Sequence, residues 1–354
     1  MPSTVSKVLA YLKPKRRWFR FSLRTLLLST TIFCLWFGWN ISNANRQRRA
    51  VMAVEEMSGL VQYDYEYPED SDGWLSRAWE QVRASTSNVC GRDFSYRVLG
   101  VHLSDWNYPG EPVNKPHVTD ADLKQVTAFR HLIRLSLNDN PITDQGIEQL
   151  QHLQNLRFLS LGKTDITDLA TTYLASLSQL EKLAIFRTAI GDEGIKALMG
   201  CKSLSDLRVS DSNVTDEGMS YIANMSQLRC VDVSGCNITD DGVGKLRHMP
   251  NLIWLELART SITDLGMAQL RDNNKKILIL DVSDTPVSDE GIAHLRDLRS
   301  LSSLDLEGTG VTDKCLEYLS DLPDLGLLVL RRTSVTAEAV AKLQSTHPLL
   351  TVQQ

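Results

Sequence analysis

The residues best placed to do chemistry in this 354-residue chain are a comb of aspartates. Asp120, Asp144, Asp168, Asp192, Asp216, Asp240, Asp264, Asp289 and Asp313 follow one another in steps of 24, with a single step of 25 before Asp289. Regular carboxylates suit three roles: cation ligands, acid–base groups, or acceptors of structural hydrogen bonds. A metal site needs ligands that converge on one ion, whereas these recur once per unit with no clustered His or Cys beside them. The histidines at 102, 117, 131, 152, 248, 294 and 347 are scattered, and none belongs to an HExxH or nucleophile motif. The phosphate-cradling patterns GxxxxGK and GxGxxG do not occur. Cys34, Cys90, Cys201, Cys230, Cys236 and Cys315 are irregularly spaced without a CxxC pair, which supports neither a zinc site nor a disulfide framework. No catalytic residue, metal or cofactor is expected. Most aspartates stand after a β-branched corner and two places before a glycine or small residue, such as Gly146, Ala170, Gly218, Gly266 or Cys315. That is the position of a helix N-cap, whose carboxylate accepts from the free N–H groups of the first turn. All nine are therefore expected to cap the helices that they precede.

The elements that carry the comb repeat with it. Upstream of each aspartate from Asp144 onward runs the pattern LxxLxLxxTxI or a close variant, as in Leu132, Leu135, Leu137, Asn140 and Ile142, or Leu252, Leu255, Leu257, Thr260 and Ile262. Leu255 and Leu257 are two apart and share one side of a strand, with Trp254, Glu256 and Ala258 on the other. After the aspartate, apolar residues such as Met267 and Leu270 recur at helical spacing. One such unit cannot bury its apolar face alone, so neighbours must stack. The small residues Asn140, Thr164, Thr188, Ser212, Cys236, Thr260, Thr285, Thr309 and Thr333 form a column suited to bonding backbone groups at each corner. Residues 117–354 resemble the leucine-rich repeat family, in a short 24-residue variant. The resemblance implies an α/β leucine-rich-repeat solenoid: a right-handed superhelix with a parallel sheet on the concave face and short helices on the convex face.

The N-terminal part differs. Residues 1–50 carry ten Lys or Arg and no acid, leaving 28 basic against 43 acidic residues in the rest. The run FSLRTLLLSTTIFCLWFGWNI, residues 21–41, has Arg24 as its one charge and is long enough for a bilayer core of about 30 Å. Trp18, Trp36 and Trp39 lie near its ends, and more cations precede it than the Arg46, Arg48 and Arg49 that follow. These features predict a basic cytoplasmic tail over 1–20, a transmembrane anchor over 21–41 in the inner membrane, and a body outside the cytoplasm. A cleaved signal with a Ser42-Asn43-Ala44 site, a twin-arginine signal at Arg16-Arg17, and a buried helix are the competing readings. The FRFSLRTLLL stretch also looks like an anchor found on many bacterial membrane-attached proteins. Residues 42–116 do not follow the 24-residue ruler and are expected to form a membrane-proximal cap. That cap would hold a helix near Arg49–Met57, an alternating stretch at 61–67, a second helix with Trp74, Trp79 and Val82, and a first strand at 98–103. Leu349 and Val352 suggest a truncated final strand.

The outward columns of the strands hold the candidate binding residues. One reads Ser136, Ser160, Ala184, Arg208, Asp232, Glu256, Asp281, Asp305 and Val329. The other reads Arg134, Phe158, Lys182, Asp206, Cys230, Trp254, Ile279, Ser303 and Leu327. Four successive acids on strands about 4.8 Å apart repel one another unless solvated or met by cations. Asp232, Glu256, Asp281 and Asp305, with Glu307 just beyond, Arg208 before them, and Cys230, Trp254 and Ile279 beside them, are expected to bind a protein or peptide, preferably a basic one. The plain alternative is a solvated face, since acids in this column are common in the family. The acidic body disfavours nucleic acid. A cytoplasmic substrate-recruiting protein similar to leucine-rich F-box receptors, and an envelope carbohydrate binder, remain the alternative functions.

Overall fold

The computed structural model describes residues 23–63, 97–103, 117–271 and 276–354. Contacts divide the chain into two compact units, Met1–Arg48 with Gly73–Ser95, and Arg49–Asp72 with Tyr96–Gln354. The second unit is built on one twelve-stranded sheet whose strands lie in sequence order. Its strands are β1 (Leu60–Tyr63), β2 (Val98–His102), β3 (Arg134–Ser136), β4 (Phe158–Ser160), β5 (Lys182–Ala184) and β6 (Asp206–Arg208). They continue with β7 (Cys230–Asp232), β8 (Trp254–Glu256), β9 (Ile279–Asp281), β10 (Ser303–Asp305), β11 (Leu327–Val329) and β12 (Thr351–Gln353). β1 and β2 pair antiparallel, and every later pair is parallel.

The register explains how side chains form columns. Leu135, Leu159, Leu183, Leu207, Val231, Leu255, Leu280, Leu304 and Leu328 are each the centre of a three-residue strand, paired in line and buried. The helices close the other side. Met267, Leu270, Ile292 and Leu295 turn inward and join the same core, as their three-residue spacing requires. Small hydroxyls tie most corners: Thr164, Thr260 and Thr309 donate to the carbonyl three residues back at 2.6–2.7 Å, while the Cys236 thiol reaches the Val209 carbonyl of the preceding repeat. Asn140 reaches further, donating to the Leu103 carbonyl at 2.6 Å and accepting from the Val118 N–H at 2.8 Å, so it knits β2 to the first repeat.

The aspartates do not cap their own helices. Thr143, Thr167, Thr215, Thr239, Ser288 and Thr312 hold the extended N-cap position, and each hydroxyl accepts from the N–H two residues on. The carboxylate instead crosses to the following repeat, in all nine cases from Asp120 to Asp313. Asp240 shows the full set. One oxygen accepts from the N–H of Thr263 at 2.7 Å and of Gly266 at 2.9 Å, and the other accepts from the Thr263 hydroxyl at 2.7 Å. The reason is geometric: the first-turn N–H groups of a helix are open to any nearby acceptor, and the stacked neighbour supplies one better placed than the residue at the first helical position. The glycine in the motif makes room for it. A Cβ at Gly218 would lie 2.4 Å from the Asp192 carboxylate. Where alanine stands instead, at Ala170, the matching bond to Asp144 lengthens to 3.2 Å.

A single helix runs over Leu23–Glu56, where a membrane anchor and a separate cap helix were expected. Ala50, Val51 and Val54 of its last turns are buried in the core of the repeat unit. Among the described residues, no helix is long and apolar enough to cross a membrane. This corrects the transmembrane anchor, the single-pass inner-membrane placement and the body outside the cytoplasm. The apolar run is diluted by Ser29, Thr30, Thr31, Asn40, Ser42 and Asn43, and the helix continues into Arg46, Arg48 and Arg49. The expected helix with Trp74, Trp79 and Val82, most of the stretch at 61–67, the basic tail and the loop at 106–116 lie outside the described residues. At the far end β12 forms, but Leu349 is 92% exposed and Leu350 supplies the buried side chain instead.

Candidate functional site

The open side of the sheet is built from the two residues that flank each buried strand leucine. On β7 to β10 it carries the expected acids, and their surroundings separate them. Asp232, Asp281 and Asp305 each fold one oxygen back to accept an N–H two residues on, from Ser234 at 2.9 Å, Ser283 at 2.8 Å and Glu307 at 2.9 Å. These turns tie the strand exits and give three of the four acids a structural task. Glu256, one methylene longer, makes no such turn and no ion pair among the described residues. Burial and the neighbouring Asp232 carboxylate push its carboxyl up to about 7. Burial also raises Asp305, with the Glu307 N–H opposing and Asp281 adding to the rise.

Trp254 is not the open aromatic that the sequence suggested. The Arg208 guanidinium, two strands away, lies 5.1 Å from the centre of its ring and donates to Asp206 at 3.2 Å. The indole N–H is buried and completes no hydrogen bond, although it lies near enough to Glu256 to oppose the rise in that carboxyl's pKa. Cys230 pairs in register with both Asp206 and Trp254 and is only 6% exposed. Burial and the Asp206 carboxylate raise its thiol to about 12. It is therefore inert, as a buried structural thiol should be. At pH 8 Cys230 is expected to react with iodoacetamide about a thousandfold more slowly than an ordinary thiol, while exposed Cys34 is labelled first. Peptide mass mapping checks the order. Ile279 is half-buried at the centre of the acidic stretch, and Glu307 faces Arg331 and Arg332.

The other half of the same face carries the opposite sign. Arg134 lies 4.4 Å and Lys182 5.6 Å from the centre of the Phe158 ring, so two cations share one aromatic side chain. Lys182 reaches Asp206 only loosely, at 3.9 Å. These residues, with His102, Ser136, Ser160 and Arg208, line a cleft of about 330 Å³. Burial first, and then Arg134, lower the pKa of His102, which keeps the imidazole neutral near pH 7. The signal for this half lies in the outward columns themselves, as Arg134, Phe158 and Lys182 on successive strands.

A further column was not singled out in the sequence. Asp139, Lys163, Arg187, Asp211, Arg259, Asp284 and Arg332 all have positive φ, with Gly235 and Gly308 in the same column. Left-handed backbone is costly for non-glycine residues, and here the side chains compensate by pairing between repeats. Lys163 meets Asp139 at 2.6 Å, and Arg187 and Arg259 both meet Asp211, at 3.1 and 2.9 Å. Arg259 reaches Asp211 because Gly235 stands between them, where a Cβ would lie 2.1 Å from that carboxylate. Arg332 spans Gly308 to Asp284 in the same way. Burial alone would raise Asp211, but hydrogen bonds from Arg259 and Arg187 hold its carboxyl below the usual range.

A family model described as a leucine-rich repeat region matches residues 113–351, about two thirds of the chain. The chain belongs to the leucine-rich repeat family. Among solved structures, this leucine-rich repeat protein is similar to an internalin (inlF) from Listeria monocytogenes. The two are 20% identical over 79% of this chain and 94% of that one, with a TM-score of 0.46. It is also similar to an internalin C2 from Listeria monocytogenes at 26% identity, covering 64% of this chain and 87% of that one, with a TM-score of 0.46. None of the curated proteins compared matches it. On this leucine-rich repeat scaffold, the sheet face is where side chains not needed by the stack collect.

Proposed function

We propose that this leucine-rich repeat protein is a binding scaffold whose sheet face takes a cationic segment of a protein partner, with no chemistry of its own. The observation that carries the reading is Glu256. It stands between Asp232 and Asp281 in register, half-buried, without an ion pair among the described residues, and with its carboxyl raised to about 7. A carboxyl in that state is held part-protonated by burial first and by the neighbouring Asp232 carboxylate second, and a lysine or arginine brought against it stabilises the charged form. Ile279, half-buried on the neighbouring strand, supplies apolar surface for the stem of such a side chain.

The test is titration of a short lysine-rich peptide by calorimetry. Binding draws off the remaining proton from Glu256, so about half a proton per complex should be released at pH 7. This shows as a dependence of the heat on buffer ionisation. Asp281→Lys should weaken binding by about tenfold. Equal affinity for the wild type and Asp281→Lys, with no proton release, would remove the proposal.

A further inference from the structure

The two halves of the sheet face differ in sign, and the change occurs once. Over β3 to β6 the outward columns hold Arg134, Lys182 and Arg208 against the single acid Asp206, whereas over β7 to β10 they hold Asp232, Glu256, Asp281 and Asp305 with no cation. Within each half, like charges stand on neighbouring or next-neighbouring strands and penalise one another. The basic half is also hollowed into the 330 Å³ cleft around Phe158. A ligand of one sign satisfies half of this surface and is repelled by the other.

We infer that the face reads the order of charge along its ligand: one segment binds with an acidic block in the Arg134–Phe158–Lys182 cleft and a basic block over Glu256. This rests on the basic-segment reading above and adds a second, oppositely charged subsite to it. The spacing follows from the sheet. Phe158 on β4 and Glu256 on β8 are four strands apart in an unbroken register, which at about 4.8 Å per strand is about 19 Å. An extended segment covers that distance in about six residues. The chemistry of the acidic block is also defined. Carboxylates meet a guanidinium and an ammonium that already flank one ring, with the Ser136 hydroxyl and the His102 imidazole as further donors, while the Ser160 hydroxyl is taken by the Asn138 side chain.

The experiment compares synthetic peptides by fluorescence anisotropy on the full chain. One carries three Glu, six Gly/Ser residues and three Lys; a second has the same composition with Glu and Lys alternating; a third carries the three Lys alone. The block peptide is expected to bind about tenfold or more tightly than either of the others. Arg134→Glu combined with Lys182→Glu should erase that advantage while leaving the Lys-only peptide bound at least as well. Both substituted side chains are exposed, so the fold is retained, and Phe158→Ser provides a second variant that removes the shared ring. Equal binding of block and alternating peptides, or an advantage that survives the double reversal, overturns the inference. Self-association of the wild type that the same reversal abolishes would place a second copy of this chain on the face and overturn it too. Failure of the basic-segment reading looks different: the Lys-only peptide then does not bind, or ignores Asp281→Lys.

Discussion

Asp240→Ala is expected to lower the unfolding free energy by about 3 kcal/mol, since a charged acceptor of three hydrogen bonds is removed and its donors are left at a tight interface. The Thr263 and Gly266 N–H groups and the Thr263 hydroxyl all point at that carboxylate. The loss falls on the coupling between repeats, because the bonds cross from one unit to the next. In a stack held by nearest-neighbour contacts, a weakened central joint lets the two sides unfold separately. The denaturant transition should therefore broaden as well as shift. Asp313→Ala is the internal comparison. Asp313 accepts from the N–H and hydroxyl of Thr336, but the Ala339 N–H is held by that hydroxyl instead. Its loss should cost about half as much. A change below about 1 kcal/mol for Asp240→Ala, with an unaltered slope, would show that water or the backbone takes over the carboxylate's bonds.

The second large effect is a pH dependence carried by Glu256. Its carboxyl is raised from 4.5 to about 7 in the folded chain, so between those values the folded state holds a proton that the unfolded state has lost. Stability due to this group is therefore greatest below the unfolded pKa, falls as pH rises from 4.5 to 7, and is level above. A shift of that size corresponds to about 3 kcal/mol in full linkage, and solvent screening on an open sheet face reduces it to about 1 kcal/mol. Glu256→Gln should be more stable than the wild type by about that amount at pH 8 and equal to it near pH 4. Urea titrations of the two proteins from pH 4 to 8 measure the difference directly. Asp211 works in the opposite sense. Its carboxyl is depressed in the folded chain, so its contribution is present above its unfolded pKa and is lost as pH falls through the folded one. The difference between wild type and Glu256→Gln cancels Asp211 and isolates the upper window.

Much of the fold was legible because the repeat imposes the same physical demand at fixed intervals. The spacing of Leu252, Leu255, Leu257 and Thr260 before Asp264 placed strand, corner and helix correctly, and the outward columns can be read by counting back from that aspartate. What the residues do across the stack was harder to see. Asp240 caps a helix, but the one that begins beyond Thr263, and only the neighbouring repeat in space reveals it. The same holds for the left-handed column, where charges 24 residues apart pair or skip a glycine. Acidic residues on the face were found as a stripe, yet three of them turn out to tie their own strand exits, which singles out Glu256. The opposite cleft was written in the letters Arg134, Phe158 and Lys182, and it takes the stacking of strands to bring two cations onto one ring. At the N-terminus, length and flanking charge suggested a membrane span, but hydroxyl and amide side chains dilute the helix below what a span needs.

The carboxylate that each repeat hands forward has a consequence for how such a chain can change length. Every joint from Asp120 onward presents the same acceptor on one side, and most present the same donors on the other. Cutting between any two aspartates therefore leaves ends that fit any other such cut. Duplication or loss of one whole unit re-forms a native joint, whereas a change of a few residues has to be absorbed between joints, as in the lone 25-residue step. The sheet face inherits this arithmetic. Removing one unit between Phe158 and Glu256 shortens the distance between the two charged halves by one strand, about 4.8 Å. The stack thus acts as a gauge with a fixed increment, and whole-unit gain or loss could retune it for a ligand of different charge spacing without disturbing either end.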